Sequence, residues 1–321
     1  MRTPFPWRLV KFASAAALLV LPLLVLLGSR TQSEKPALPS PLSPEDYRLI
    51  SPRSYRLLLD QPHACRDRSP ALLLLVPVAP RDAAARRAVR ATWGSSGGDT
   101  LTLFFTGVRP GEDWGSLLQE ESRQHEDIIQ MDFVDSYHNL TVKTLMMMSW
   151  VASHCPNASY AMKVDADIFV NIFYLLELLG SYPRRGFITG SVITDGRPRR
   201  DPNSKWFLSE EQYPDDAFPP YVSGAGYVFS ADLAQRISGV SRYVRAIPME
   251  DVYVGLCLRL LGVRPVYSQR LLGLRNLFEI RKLEYDRCSF ARRVIVNGFE
   301  PTELQEVWKD FSTGFTHTLR L

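Results

Sequence analysis

Tyr160–Asn171, YAMKVDADIFVN, sets a short run of buried-strand character against two carboxylates, Asp165 and Asp167, before the apolar pattern resumes. An unpaired carboxylate in apolar surroundings is costly enough that proteins pair it, coordinate it or neutralise it. The stretch therefore predicts something cationic at the end of a strand. Residues i and i+2 of an extended segment point the same way, so both carboxylates address one site. Hard divalent cations take oxygen ligands, and magnesium or manganese is held by one or two carboxylates together with substrate phosphates. Acidic pairs also recur in ordinary loops, so the weight falls on their placement after YAMKV and before IFVN.

Working outward, strand and helix patterns alternate. ALLLLVPV (71–78) is a continuous apolar run of buried-strand type, and RDAAARRAVRATW (81–93) has helical composition and spacing. TLTLFFTG (100–107) reads as a strand, Gly115–His125 as a helix and DIIQMDFV (127–134) as a strand. NLTVKTLMMMSWVASHC (139–155) follows as a helix with apolar residues three and four apart. Such alternation predicts an α/β fold with a doubly wound, mostly parallel sheet covered on both faces. Ligands then bind outside the carboxyl ends of the strands, where Asp165 and Asp167 fall.

The 321 residues are 45% hydrophobic and 22% charged, ordinary globular usage with room for one large domain or two small ones. The net charge of +4 is mild and the arginines are scattered, which speaks against nucleic acid as a partner. Phe12–Gly28 is an uncharged apolar run of about 17 residues, near the lower limit for a transmembrane helix. Arg2, Arg8 and Lys11 precede it, so the positive-inside rule keeps residues 1–11 in the cytosol and sends the remainder across the membrane. A cleaved signal peptide has the same charge order, but the small residues at 13–17 lie at the wrong end for cleavage. The expectation is a signal anchor at 12–28, a Pro/Ser-rich stem at 29–64 acting as an extended tether, and a folded domain at 65–321.

Cys65, Cys155, Cys257 and Cys288 all fall on the translocated side. An even count in an oxidising lumen suggests disulfides, with the pairing open, and no CxxC spacing supports zinc. Asn139-Leu-Thr141 and Asn157-Ala-Ser159 are candidate N-glycosylation sequons, a pattern short enough to arise by chance.

Six stretches together carry a resemblance: ARRAVRATWG (85–94), DFVDSYHNLTVKT (132–144), YAMKVDADIFVN (160–171), SKWF with YP (204–214), PPYVSGAGYVFS (219–230) and MEDVYVGLCL (249–258). In that order and spacing they resemble the β1,3-glycosyltransferase family, most closely its β1,3-galactosyltransferase branch, over roughly residues 60 to 310. The resemblance implies a GT-A fold, a type II Golgi membrane enzyme with its catalytic domain in the lumen, and UDP-galactose as donor. It further implies transfer with inversion onto the 3-hydroxyl of a GlcNAc- or GalNAc-terminated glycan on a glycoprotein or glycolipid. N-acetylglucosamine as the donor sugar stays open, as does a metal-impaired relative that only binds glycans.

Under the resemblance, Asp167 ligates Mn2+, which bridges the donor diphosphate, while Asp165 orients the ribose and supports the metal site. Inversion by direct displacement also needs a base opposite the leaving phosphate. IPMEDVYVG offers Glu250 and Asp251, with Asp251 as the implied base; the competing reading makes Asp251 a helix cap. Arg86 and Arg90, four apart on one helix face, suit nucleotide or phosphate contacts, with Thr92 and Trp93 closing that motif, though such a face is often simply solvated. Lys143 and Ala166 complete the expected donor set. Gly224, Ala225 and Gly226 are expected to line the sugar pocket as a loop, the glycines permitting close approach or positive φ. Trp206, Tyr213 and Tyr221 are candidate stacking surfaces or core.

One departure stands out. Where the family carries a histidine four residues before a proline, read as a second metal ligand, this chain has Asn297 before Pro301. Imidazole binds manganese better than an amide does.

Overall fold

The computed structural model describes residues 38–111, 114–271 and 284–316. The first part of the chain contributes α1 (Pro44–Arg48), β1 (Leu57–Leu59), β2 (Leu72–Pro77), α2 (Ala83–Arg90), β3 (Thr100–Val108), α3 (Gly115–His125), β4 (Ile128–Val134), α4 (Leu140–His154) and β5 (Tyr160–Val164). Then come β6 (Ile168–Val170), α5 (Ile172–Leu179), β7 (Ile188–Ile193), β8 (Tyr221–Ser230), α6 (Asp232–Val240), α7 (Glu250–Leu261), β9 (Val266–Tyr267), α8 (Arg287–Phe290), β10 (Ile295–Asn297) and α9 (Pro301–Thr316).

The main sheet runs β1-β4-β3-β2-β5-β8-β7-β9. Its centre, β4-β3-β2-β5, is parallel, as the strand and helix alternation predicts; β8 returns antiparallel to β5 and β1 antiparallel to β4. β2 illustrates why it is central. Leu72, Leu74 and Val76 join the core on one face, with Val89, Trp93, Phe169, Phe290 and Phe311. Leu73 and Leu75 join the other, with Met147, Val151, Leu233 and Val254. A strand apolar on both faces must be covered on both, and each fully buried leucine contributes about 1.5–3 kcal/mol.

The expected tether is corrected over its C-terminal part. Leu42 N–H donates to Arg242 O at 2.8 Å, Ile50 is buried, β1 pairs with β4, and Trp150 Nε1 donates to Asp60 Oδ1 at 2.8 Å. A Pro/Ser-rich segment cannot build its own core, but a few apolar residues suffice to dock it on a sheet edge that is already formed. Cys65 bonds to Cys155, a span of 90 residues, which fastens this segment to the end of α4. Cys257 is a buried thiol and Cys288 an exposed one. Among the described residues no helix is long and apolar enough to cross a membrane, and the apolar run 12–28 lies outside them.

The acidic pair also sits differently from the expected extended geometry. β5 ends at Val164, and Asp165–Asp167 form a turn in which Ile168 N–H donates to Asp165 O at 3.3 Å. β6 then pairs antiparallel with β10, setting Asn297 opposite Ile168.

Candidate active site

A cleft of about 1420 Å³ opens at the carboxyl ends of the parallel strands. Val78 after β2, Arg109 after β3, Asp135 after β4 and Asp165–Asp167 after β5 line one side. Opposite them stand Ile193, Asp195–Arg197, Arg199, Trp206, Phe218, Tyr221, Ser223–Ala225 and the start of α7. The volume exceeds the roughly 300–1,000 Å³ of single small-molecule pockets, leaving room for two substrates.

Lys163 organises the charge at the floor. On β5, two residues before Asp165, its ammonium stands 2.7 Å from Asp165 Oδ1, donates to the Gly224 carbonyl and lies 3.1 Å from Glu250 Oε1. Burial opposes the charge, but Asp165 and Glu250 outweigh it and hold Lys163 above the ordinary lysine value. Glu250 is 5% exposed, and its Oε2 accepts from Tyr227 at 3.1 Å and from Thr144 at 3.3 Å. Burial raises its carboxyl, against Lys163 and with help from Asp251.

Asp251 is the second residue of α7, whose N-cap is Met249, so the helix-cap reading does not describe it. Its Oδ1 accepts from Val252 N–H at 2.8 Å and its Oδ2 from Gly224 N–H at 3.2 Å. Burial pushes this carboxyl up as well. Asp167 opens to water in the cleft; its recess there, and then Asp165, raise it too. The backbone carbonyl of Asp167 accepts from Gly298 and Phe299, at 2.9 and 2.8 Å.

The Gly224–Gly226 segment belongs to β8 rather than to a loop, and neither glycine has positive φ. Gly224 is required for closeness: a Cβ there would stand 2.9 Å from Glu250 Oε1 and 3.4 Å from Asp251 Oδ2. Ala225 lines the cleft and accepts from Asp165 N–H at 3.2 Å through its carbonyl. Gly226 pairs with Val164 inside the sheet. Tyr221 is held between two glycines, since a Cβ on Gly196 or Gly255 would meet it at 2.7 or 2.6 Å. Burial and the nearby Asp251 push its hydroxyl up to about 12.

Of the expected residues, Asp165, Ala166, Asp167, Glu250, Asp251, Lys143, Trp206, Tyr221, Gly224 and Ala225 meet in this cleft. Lys143 comes with an unforeseen partner. It is 3% exposed, lies 2.8 Å from Asp135 Oδ1 and donates to Val78 O at 3.2 Å; burial lowers its pKa against the pull of Asp135.

The Arg86–Trp93 motif does not reach the cleft. Arg86 is 1% exposed and engaged by both oxygens of Glu121 at 2.8 and 2.6 Å and by the carbonyls of Ala79 and Pro80 at 3.1 Å. Arg90 grips Asp127 at 2.7 and 2.8 Å and Glu121 at 2.6 Å. Thr92 donates to Ala88 O at 2.7 Å and Trp93 lies in the core. Four of the five N–H donors of the Arg86 guanidinium are answered inside the fold and the group is buried, so it is not disposed to take a phosphate. Arg86 nonetheless ties down Ala79, which lines the cleft. Tyr213 is likewise core, donating to Ala217 O at 2.9 Å.

Sequence reasoning missed Lys163, whose signal was its i−2 spacing from Asp165 on one strand face, and Arg197 and Arg199, exposed on the wall. Asn139 is half-buried with its amide donating to Val134 O at 2.7 Å, while Asn157 is exposed in the turn after α4.

Carboxyls displaced by burial on two sides of one large cleft are a feature of enzyme active sites. The family profile described as galactosyltransferase matches residues 84–269. The chain is 41% identical over 273 residues to β-1,3-galactosyltransferase 1 of Mus musculus and of Homo sapiens, covering 83% of this chain and 81% of each relative. To β-1,3-galactosyltransferase 2 of Mus musculus it is 39% identical over 268 residues, 80% of this chain and 63% of that protein. The chain belongs to the galactosyltransferase family, within its β1,3 branch, and is a glycosyltransferase.

Proposed function

We propose that this protein moves galactose from UDP-galactose, with inversion, to the 3-hydroxyl of a GlcNAc- or GalNAc-terminated glycan on a glycoprotein or glycolipid. The observation that carries the reading is that Asp165 and Asp167 face the same cleft as Asp251, with Lys163 and Gly224 between them.

In this reading Asp251 is the base. Its carboxylate takes the proton of the acceptor hydroxyl as that oxygen attacks the anomeric carbon, while the bond to UDP breaks on the opposite face. A carboxylate raised by burial is a stronger base than one in water. Trp206 and Tyr221 offer the rings on which sugars stack, and Arg197 and Arg199 supply basic charge at the wall.

A manganese ion fits the donor set as a partial site. Two carboxylates leave the turn after β5 together, and among the described residues no group of three His, Cys, Asp or Glu gathers. Diphosphate oxygens would complete such a set, as they do where magnesium or manganese is held by one or two carboxylates. Asp167 and Asp165 would hold the ion, with Asn297 alongside. Its chemistry there is to neutralise charge on the departing UDP.

The GT-A description, the N-terminal anchor at 12–28 and a Golgi lumenal location belong to the same proposal; the charge order around that apolar run supports the anchor and its orientation. The test is a donor screen on the full-length protein with manganese and a panel of GlcNAc- and GalNAc-terminated acceptors. Preferred turnover of UDP-galactose is expected. Turnover of UDP-N-acetylglucosamine instead would replace the donor, and no turnover of any UDP-sugar would end the enzyme reading.

A further inference from the structure

Asp165, Gly224 and Glu250 belong to three different elements: the turn after β5, strand β8 and the first turn of α7. One buried ammonium reaches all three. Lys163 lies 2.7 Å from Asp165 Oδ1 and 3.1 Å from Glu250 Oε1, and it donates to the carbonyl of Gly224. The Gly224 residue is engaged at its other end too, its N–H donating to Asp251 Oδ2 at 3.2 Å. A continuous path of contacts thus runs from Asp165 through Lys163 and Gly224 to Asp251. Gly224 has no slack along it, because a Cβ at that position would stand 2.9 Å from Glu250 Oε1.

Glu250 fits a supporting part in this arrangement. It is 5% exposed, with Oε2 occupied by Tyr227 and Thr144, so it counterbalances Lys163 and braces α7. That leaves Asp251 as the carboxylate of the pair suited to the acceptor.

We propose that Lys163 is a positioning residue, fixing the Gly224 backbone and through it the Asp251 carboxylate relative to the acidic pair that addresses the donor. The role rests on the proposed reaction, and its physical basis is geometric. Reacting groups must sit within a few tenths of an ångström of a productive arrangement, and a misplacement of about 1 Å costs on the order of 100-fold in rate. Strand ends and a helix start do not hold such tolerances unaided. A side chain that hydrogen-bonds two of them and pairs in charge with the third does.

The test is Lys163→Met in the full-length protein, read three ways. Amide hydrogen exchange is followed for the 221–226 segment, with β2 as the internal reference. UDP affinity is measured by calorimetry with manganese present, and kcat and KM are measured for transfer. The expected result is exchange at least about tenfold faster in 221–226 with β2 unchanged, kcat lower by about 100-fold, and UDP affinity within about threefold of wild type. Unchanged exchange overturns the proposal. So does a loss of kcat matched by an equal loss of UDP affinity, since Lys163 would then serve the donor side alone. If Lys163→Met does not fold, Lys163→Met with Glu250→Gln, which removes both buried charges, takes the same three measurements. A wild-type protein without turnover on any UDP-sugar would overturn the reaction instead, and the exchange result would then decide the Lys163 contact by itself.

Discussion

Asn297 pairs with Ile168 in the antiparallel β6–β10 ladder, which brings it alongside Asp167, whose carbonyl is held by the two residues that follow Asn297. The backbone of Asn297 is therefore beside the acidic turn in space. An amide offers a single carbonyl oxygen, whereas neutral imidazole is the commonest side-chain metal ligand. Asn297→His is expected to tighten manganese binding on the order of tenfold, measured by calorimetry on the protein with UDP present. Equal affinity in variant and wild type would show that this ladder position does not address the ion.

Asp251 should control the acid limb of activity. Burial holds its carboxyl above the ordinary value near 4, and the base must be ionised, so kcat/KM should fall as pH drops through that raised value. The stability sign is opposite. A raised carboxyl favours the protonated fold, so its contribution is complete below the ordinary carboxylate pKa and is lost as pH rises through the raised one. Asp251→Asn is therefore expected to cost about 100- to 10,000-fold in kcat, while Tm at pH 7.5 stays level or rises. A Tm several degrees lower with proportionate loss of activity would instead mark a structural residue.

The limits of legibility follow from what each kind of signal measures. The α3 boundaries, Gly115 and His125, read correctly from pattern alone, because local periodicity and local structure are the same thing there. The end of β5 at Val164 is not legible, since Asp165–Asp167 continue an extended-looking string whose turn is set by β6 turning to pair with a strand more than a hundred residues on. Arg86 and Arg90 looked like phosphate ligands because residue type reports charge, not partner. Glu121 and Asp127, which answer them, lie far along the chain. Lys163 is inconspicuous in the sequence for the converse reason. Its importance comes from Gly224 and Glu250, which arrive only when β8 and α7 close over β5.

Arg86→Ala separates these readings directly. It strips one of two charge partners from a mostly buried Glu121, which keeps Arg90, and frees the Ala79 and Pro80 carbonyls, so the cost should lie toward the low end of the about 3–5 kcal/mol for breaking a buried pair from one side. Denaturant unfolding should register that loss, with KM for the UDP-sugar changed less than about threefold in protein that remains folded. A large rise in KM with stability intact would restore the expected nucleotide contact.

The disulfide makes a separate claim about the N-terminal segment. Cys65–Cys155 closes a loop spanning 90 residues, and constraining a loop of that size in the unfolded chain contributes about 2–4 kcal/mol. The same bond keeps residues 42–64 docked, where β1 covers the β4 edge and Asp60 holds Trp150. Cys65→Ser with Cys155→Ser should therefore lower the unfolding free energy by that amount and make 42–64 the first segment cut by protease. Cys257 is buried against Tyr253 and is not part of this device, so reduction of the wild type should reproduce the double variant without Cys257. Resistance of 42–64 to cleavage after reduction would mean that the apolar contacts of Leu42 and Ile50 hold the segment without help from the bond.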